Sequence, residues 1–316
     1  MGVGVAYPRS QFNLAGSDIV CVPDSKVGGW SDPNVRRERN GNGAVLANET
    51  QLAIVVRKAS QTAVLPFKML WRGFGSLFTA TKAIWTPPPR KVDMPWDLAK
   101  NRVNTMICLR LRPSGASEDD GLDFLVATYH MPCQFWEPAT MSIHTVLCFQ
   151  QLQQLSEGKY PHILAGDFNF KPHSPQYAFV TTGAFPPKVI DPEDPAVDGK
   201  ASLPADPLYP NDPFQFTLPR GPMKSAYAEV LGKEPRFTNH AMTKDQTKPF
   251  TGTLDYIFFK EGGKNKGKKA TITAKSVQDV DPKCQELLGQ GVKSLPNESE
   301  YSDHLLIAAD FELSVE

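Results

Sequence analysis

Apolar positions along the 316-residue chain fall into short runs, some alternating with polar residues and some continuous, separated by polar and Pro/Gly-rich segments. This pattern predicts strands over Val3–Tyr7, Leu52–Arg57, Asn104–Leu111, Phe124–His130, His162–Ala165, Thr253–Phe259, Ala270–Ala274 and His304–Leu313. Elsewhere the spacing changes to three or four. Met141, Thr145, Cys148, Leu152 and Leu155 predict a helix over Ala139–Leu155, with Gly158 as its stop. Phe67, Trp71, Phe74 and Phe78 predict a second, amphipathic helix that ends before Pro87. Strands outnumber helices, and the run from His304 to Leu313 is apolar on both parities, as a strand buried between two layers would be. The pattern predicts an α/β sandwich.

Charge changes the picture only locally. The 34 Lys+Arg and 34 Asp+Glu cancel, so any attraction to a polyanion must come from a patch. One such patch runs from Arg36 to Lys91, where ten basic residues face only Glu38 and Glu49. The tip KEGGKNKGKK at Lys260–Lys269 is a second, read either as a solvated hairpin turn or as a phosphate contact. Between Pro186 and Pro222, ten of the 28 prolines and six acidic residues predict a long surface loop. The chain is therefore expected to be one domain over 1–316, with a basic aromatic insertion at about 31–100 and a Pro-rich acidic loop at about 186–222. Five scattered cysteines without a CxxC pair point to a reducing, intracellular and cytoplasmic setting. The apolar stretch Thr62–Trp85 carries Lys68, Arg72 and Lys82 and is a poor membrane span.

Four strings carry candidate chemistry. In HILAGDFNF, Asp167 and Asn169 stand two apart at a strand end, expected on one side, where a carboxylate and an amide suit a hard cation or a phosphoryl group. An isolated Gly-Asp-x-Asn can equally be an Asx-turn. In FLVATYHMPC, His130 ends a buried row, as a catalyst or as a hydrogen-bonded rim residue. In TGTLDYIFF, Asp255 is opposite in parity to Leu254, Tyr256 and Phe258 and needs a partner if it is to stay ionised. In the fourth, Ser302-Asp303-His304, one of the adjacent Asp303 and His304 can ligate a metal while the other turns toward Asp255. Trp136 and Phe135, just beyond His130, are candidates either for stacking on a base or for ordinary packing.

The strings TYHMPC, GDFN, TGTLDYIFF and LPNESEYSDH, in this order, resemble the endonuclease/exonuclease/phosphatase superfamily. The likeness spans about Val103 to Glu312, and KSAYAEVLGKEPRFTNH before FTGTLDYIFF resembles its deadenylase, nocturnin and Angel branch. The resemblance implies a four-layered α/β sandwich, two packed mixed β-sheets flanked by helices, and in-line attack of water on a phosphate ester with Mg²⁺, or Mn²⁺, as cofactor. By the same resemblance, Asp167 matches the group that orients or deprotonates the water and Asn169 the group that positions it. His130 matches a phosphate contact, Asp303 a metal-side carboxylate, and His304 with Asp255 a dyad that stabilises the pentacoordinate phosphorus. Asp167, Asn169, Asp303 and His304 would form the metal side, while His130, Asn169 and Trp136 would contact substrate.

Family members open with an asparagine strand and a strand ending in a Gln-Glu pair whose glutamate binds Mg²⁺. Here GVGVAYPRSQFNL resembles the strand that follows these, so the fold is expected to be N-terminally incomplete, with weak Mg²⁺ binding and little turnover. Gln285-Glu286 lies in the wrong order to replace that pair. The leading expectation is an RNA 3′-to-5′ exonuclease of deadenylase type, without inferred DNA specificity. The alternatives are a phosphatase on a small nucleotide, an inositol phosphate or a phospholipid head group, and a non-catalytic scaffold. A Phe67–Phe78 helix flanked by Lys and Arg would suit a membrane-surface substrate.

Overall fold

A computed structural model of the protein describes residues 3–26, 95–186, 189–190, 198–199, 216–242, 247–265 and 267–316. The predicted strand Leu52–Arg57, the Phe67–Phe78 helix, nearly all of the basic insertion and most of the Pro-rich loop lie outside the described residues.

The elements, in chain order, are β1 (Phe12–Cys21), α1 (Pro95–Asn101), β2 (Thr105–Pro113), β3 (Phe124–Tyr129), α2 (Pro138–Leu155), β4 (His162–Asp167) and α3 (Pro175–Thr182). They continue with the short strands β5 (Val189–Ile190), β6 (Asp198–Gly199) and β7 (Lys224–Ser225), then α4 (Ala226–Leu231), β8 (Asn239–Ala241) and β9 (Phe250–Gly252). The chain closes with β10 (Asp255–Lys260), β11 (Lys264–Asn265), β12 (Lys268–Val277), α5 (Asp281–Gly289) and β13 (Ala309–Val315). A six-stranded sheet has the order β1-β2-β3-β4-β10-β7, with β3 and β4 parallel and the other pairs antiparallel. A second sheet has the order β11-β12-β13.

The two sheets pack face to face. Ile257 and Phe259 of β10 meet Ile272 and Ala274 of β12, and the Phe259 and Phe311 rings sit edge to face at 5.4 Å. On its other face the larger sheet carries α2 and α3, with Leu164 and Phe258 packed against Val146, Phe149 and Phe179. A third small core joins α5 to Phe237, Leu295 and Leu305. The protein is a mixed α/β fold of two packed sheets flanked by helices.

Helix α2 is buried nearly all round through Phe149, wider than its predicted stripe, because α1 covers the side away from the sheet. His144 fills that second contact. Its Nδ1 accepts from the Tyr129 hydroxyl at 2.8 Å and its Nε2–H donates to the Ala99 carbonyl at 3.0 Å. Burial lowers this imidazole to about 4, so it is a neutral structural link. The helix ends at Ser156, where Glu157 and Gly158 take left-handed φ values of 51° and 68°.

Two strand predictions need correction. Val3–Tyr7 is irregular, because Val5 and Tyr7 pack on the Leu109, Leu111 and Phe124 cluster and have no ladder partner among the described residues. The edge strand in that part of the chain is β1, whose Gly, Ser, Asp and Asn residues are weak strand formers held by pairing with β2. The last strand starts at Ala309, since the preceding segment is drawn away by Leu305 N–H donating to the Thr238 carbonyl at 2.7 Å. Among the described residues it is also a sheet edge, with alternating burial, so its apolar residues do not mark a doubly buried strand. The predicted Lys260–Lys269 hairpin tip is present, with Lys264 opposite Lys269 and Asn265 opposite Lys268.

Candidate active site

Strand β4 delivers the first site carboxylate because its end is pinned from both sides. Gly166 is required there, since a Cβ would overlap the Tyr129 carbonyl of β3. The Asp167 carbonyl accepts from Met131 N–H at 2.8 Å, and Phe168 N–H donates to the Leu254 carbonyl at 2.8 Å. Phe168 is fully buried among the rings of Phe149, Phe170, Tyr256 and Phe258, so Asp167 and Asn169 flank an aromatic anchor.

Asn169 departs from expectation. It lies past the strand with φ 52°, its N–H donating to Asp167 Oδ1 at 2.9 Å and its Nδ2 to the Met131 carbonyl at 2.9 Å. It therefore does not continue the side-chain alternation of β4. The Asx-turn and the candidate site are the same structure, the amide bracing the loop that carries His130.

Strand β10 runs antiparallel to β4 with Asp255 directly opposite Asp167. His304 Nδ1–H donates to Asp255 Oδ2 at 2.7 Å, which turns His304 Nε2 toward Asp167 Oδ2 at 3.9 Å. His130 Nε2 approaches the same Asp167 oxygen at 3.4 Å. The structure thus brings His130, Asp167, Asn169, Asp255 and His304 together from four separate strings. Asp303 is exposed, and its carbonyl accepts from His240 N–H at 3.2 Å. Trp136 and Phe135 are 63% and 69% exposed and contact each other edge to face at 4.9 Å.

Two supporting residues went unread in the sequence. Thr238 Oγ1–H donates to Asp255 Oδ2 at 2.7 Å, while the same oxygen accepts from Leu254 N–H at 2.9 Å and Asp255 N–H at 3.1 Å. His240 is buried between Thr251 Oγ1 at 2.8 Å and the Val292 carbonyl at 3.1 Å, and its backbone holds the Asp303–His304 segment. Both belong to the string FTNH, whose position before the LDYIFF strand was the available signal.

Electrostatics set the two central groups apart. Burial, then the facing Asp255 charge, push Asp167 up to about 6, against the Asn169 N–H and the charges of His304 and His130. Burial alone would lower His304, but its hydrogen bond to Asp255 and the charges of Asp255, Asp167 and Asp303 outweigh it and carry it up to about 8. Between these values the pair is carboxylate and imidazolium.

Mg²⁺ takes oxygen ligands in octahedral geometry, with one or two carboxylates among them. Asp167 Oδ1 already accepts from Asn169, its Oδ2 faces two imidazoles, and Asp255 Oδ2 accepts from both Thr238 and His304. Among the described residues no three His, Cys, Asp or Glu side chains are grouped as a metal-ligand set. The expected metal side of Asp303, Asp167, Asn169 and His304 is therefore not assembled as ligands, and these residues alone do not fit a protein-held Mg²⁺ or Mn²⁺. Glu286 lies on the surface of α5 at 3.4 Å from Lys283, apart from this row.

No family model matches the chain. A curated relative, Carbon catabolite repressor protein 4 homolog 4 from Arabidopsis thaliana, is 28% identical over 200 residues, covering 60% of this chain and 37% of the relative. The catalytic domain of human Nocturnin with bound sulfate is 20% identical, with 67% of this chain and 54% of that chain covered and a TM-score of 0.38. ANGEL2, a 2′,3′-cyclic phosphatase solved with adenosine-2′,3′-vanadate, is 19% identical, with 69% and 62% covered and a TM-score of 0.40. The chain spans well under half the length of the curated relative. The ordered motifs resemble those of the endonuclease/exonuclease/phosphatase superfamily, and over 200 residues the chain is similar to the Carbon catabolite repressor protein 4 homolog.

Proposed function

We propose that the chain is a nuclease/phosphatase-type hydrolase of phosphate esters, acting on RNA as a 3′-to-5′ exonuclease of deadenylase type. The observation that carries this reading is the row Asp255–His304–Asp167–His130, in which one carboxylate is shared by two imidazoles and one imidazole is oriented by a second carboxylate. Hydrolysis of a phosphate ester needs a water to be aimed at phosphorus and the negative charge gathering on the equatorial oxygens to be offset. In this reading Asp167 takes the proton of the attacking water as its oxygen bonds to phosphorus. His304, held by Asp255, presents its Nε2–H to a phosphoryl oxygen, and His130 donates to another. The bond to the leaving oxygen breaks on the opposite side, and that oxygen is protonated from solvent.

Substrate class rests on Phe135 and Trp136, which present two exposed rings one short loop beyond His130. Base stacking uses such faces without sequence preference. The 31–100 insertion would add basic contacts to the phosphate backbone.

The test is hydrolysis of 5′-labelled oligo(A), with and without Mg²⁺ or Mn²⁺, by the chain and its Asp167→Ala variant. Stepwise shortening that Asp167→Ala abolishes is expected. Intact oligo(A) together with release of phosphate from a small nucleotide or inositol phosphate would replace RNA as substrate, and silence on every ester would leave a non-catalytic scaffold.

A further inference from the structure

At the far end of the strands that carry the candidate site lies a cavity of about 200 Å³ which the proposed chemistry does not use. Its wall includes Gly158, His162, Arg220, Lys260, Glu261, Gly262 and Gly263. His162 opens β4 and Lys260 closes β10, directly opposite each other. They stand five residues, about 17 Å of strand, from Asp167 and Asp255, and alternation puts them on the other sheet face.

Glycines let the wall close in. A Cβ at Gly158 would overlap the Arg220 guanidinium, one at Gly262 would meet Pro161 and the Ala270 carbonyl, and one at Gly263 would strike the Gly158 carbonyl. Among the described residues the two cations donate to backbone carbonyls, Arg220 Nε–H to Gln153 at 3.1 Å and Lys260 Nζ to Pro222 at 2.8 Å. Among the described residues neither has a carboxylate within ion-pair distance, and the neighbouring Glu261 lies 3.6 Å from Lys224 instead. His162 is 2% exposed, and its Nδ1–H donates to the Tyr160 carbonyl at 3.1 Å. That leaves Nε2 as a buried lone pair with no partner. Burial, then the charges of Lys260 and Arg220, hold this imidazole down at about 4, so it is neutral.

Two cations against a single lining carboxylate, Glu261, which lies 3.6 Å from Lys224, and beside a buried acceptor nitrogen, suit an anion that also carries an O–H. We propose that this cavity is a second binding site, separate from the Asp167–His304 row, for a phosphate group, either free phosphate or a small phosphate monoester. Arg220 and Lys260 hold the charged oxygens, and the protonated oxygen donates to His162 Nε2.

The test is amide and imidazole NMR of the whole chain titrated with inorganic phosphate and with adenosine 5′-monophosphate at constant ionic strength. Saturable shifts are expected at Gly158, Gly262, Gly263 and His162, unchanged in the Asp167→Asn protein and weakened about tenfold by Lys260→Gln. Arg220→Lys, which keeps the charge but loses the planar fork, is a second variant expected to weaken binding. Equal affinity for the two probes assigns the site to free phosphate, and tighter nucleotide binding assigns it to an ester. Absence of saturable shifts at these four residues, or shifts confined to the Asp167 end of β4, would overturn the proposal whether or not the chain hydrolyses RNA.

Discussion

Asp167 faces Asp255 across β4 and β10 with 17% of its side chain exposed, and burial together with that facing charge raises it from 3.8 to about 6. A carboxyl that binds its proton more tightly folded than unfolded weakens the fold as it ionises. Its contribution is fully favourable below 3.8 and is lost as pH rises through 6. Asn at this position mimics the protonated acid, and its Oδ1 still accepts from Asn169 N–H, which now lies at 2.9 Å. A shift of about two units is worth about 3 kcal/mol at most. Asp167→Asn is therefore expected to stabilise the protein by about 1.5 kcal/mol at pH 5, rising toward about 3 kcal/mol at pH 8. The assay is urea denaturation of both proteins at the two pH values with a chelator present, comparing midpoints at equal slope. Equal or lower stability of Asp167→Asn at pH 8, or a gain that does not grow with pH, would refute the reasoning.

Other outcomes follow from the same geometry. Thr238→Val removes the hydroxyl that holds Asp255 and should lower hydrolysis by about 10- to 100-fold, with Thr238→Ser close to the parent, as initial rates will show. Hydrolysis should rise with pH through about 6 as Asp167 ionises and fall through about 8 as His304 loses its proton, giving a bell in a rate–pH series. Phe168→Ala empties the fully buried anchor and should cost about 3–5 kcal/mol in chemical denaturation. Trp136→Ala, on an exposed ring, should leave that denaturation curve in place while weakening oligo(A) binding by about 1–3 kcal/mol in a fluorescence titration.

The interior strands were legible in the sequence because their apolar content exceeds what any other state would bury. Phe124–Tyr129 and His162–Asp167 have neighbours on both sides in the sheet, and their residue runs say so. The edge strand β1 was not legible. β1 contains Gly16, Ser17 and Asp18 and exists through its ladder to β2, a tertiary contact that no local pattern encodes. The same distinction holds in the candidate site. Asp167, Asp255 and His304 stood out as polar residues inside or beside apolar runs, where burial demands a partner. Thr238 did not, since a threonine in a loop is ordinary, and its three hydrogen bonds to the start of β10 emerge only when the loop folds back on that strand.

The site geometry also depends on packing that lies outside it. Side chains alternate along a strand, so slipping β10 by one residue against β4 would bring Tyr256 opposite Asp167 and turn Asp255 away toward the helices. What fixes the register is the aromatic group on the helical face: Tyr256 and Phe258 lie stacked at 5.2 Å, Phe168 meets Phe258 at 5.3 Å, and the Tyr256 hydroxyl donates to the Phe170 carbonyl at 2.9 Å. Phe168 and Phe170 belong to the loop that carries Asn169, so one cluster sets both the β4–β10 register and the turn after β4. A substitution in this cluster is therefore expected to disturb the Asp167–Asp255 pairing first. Sequence strings as apolar as LDYIFF and GDFNF carry site residues because the aromatic positions between the polar ones hold those polar ones in place.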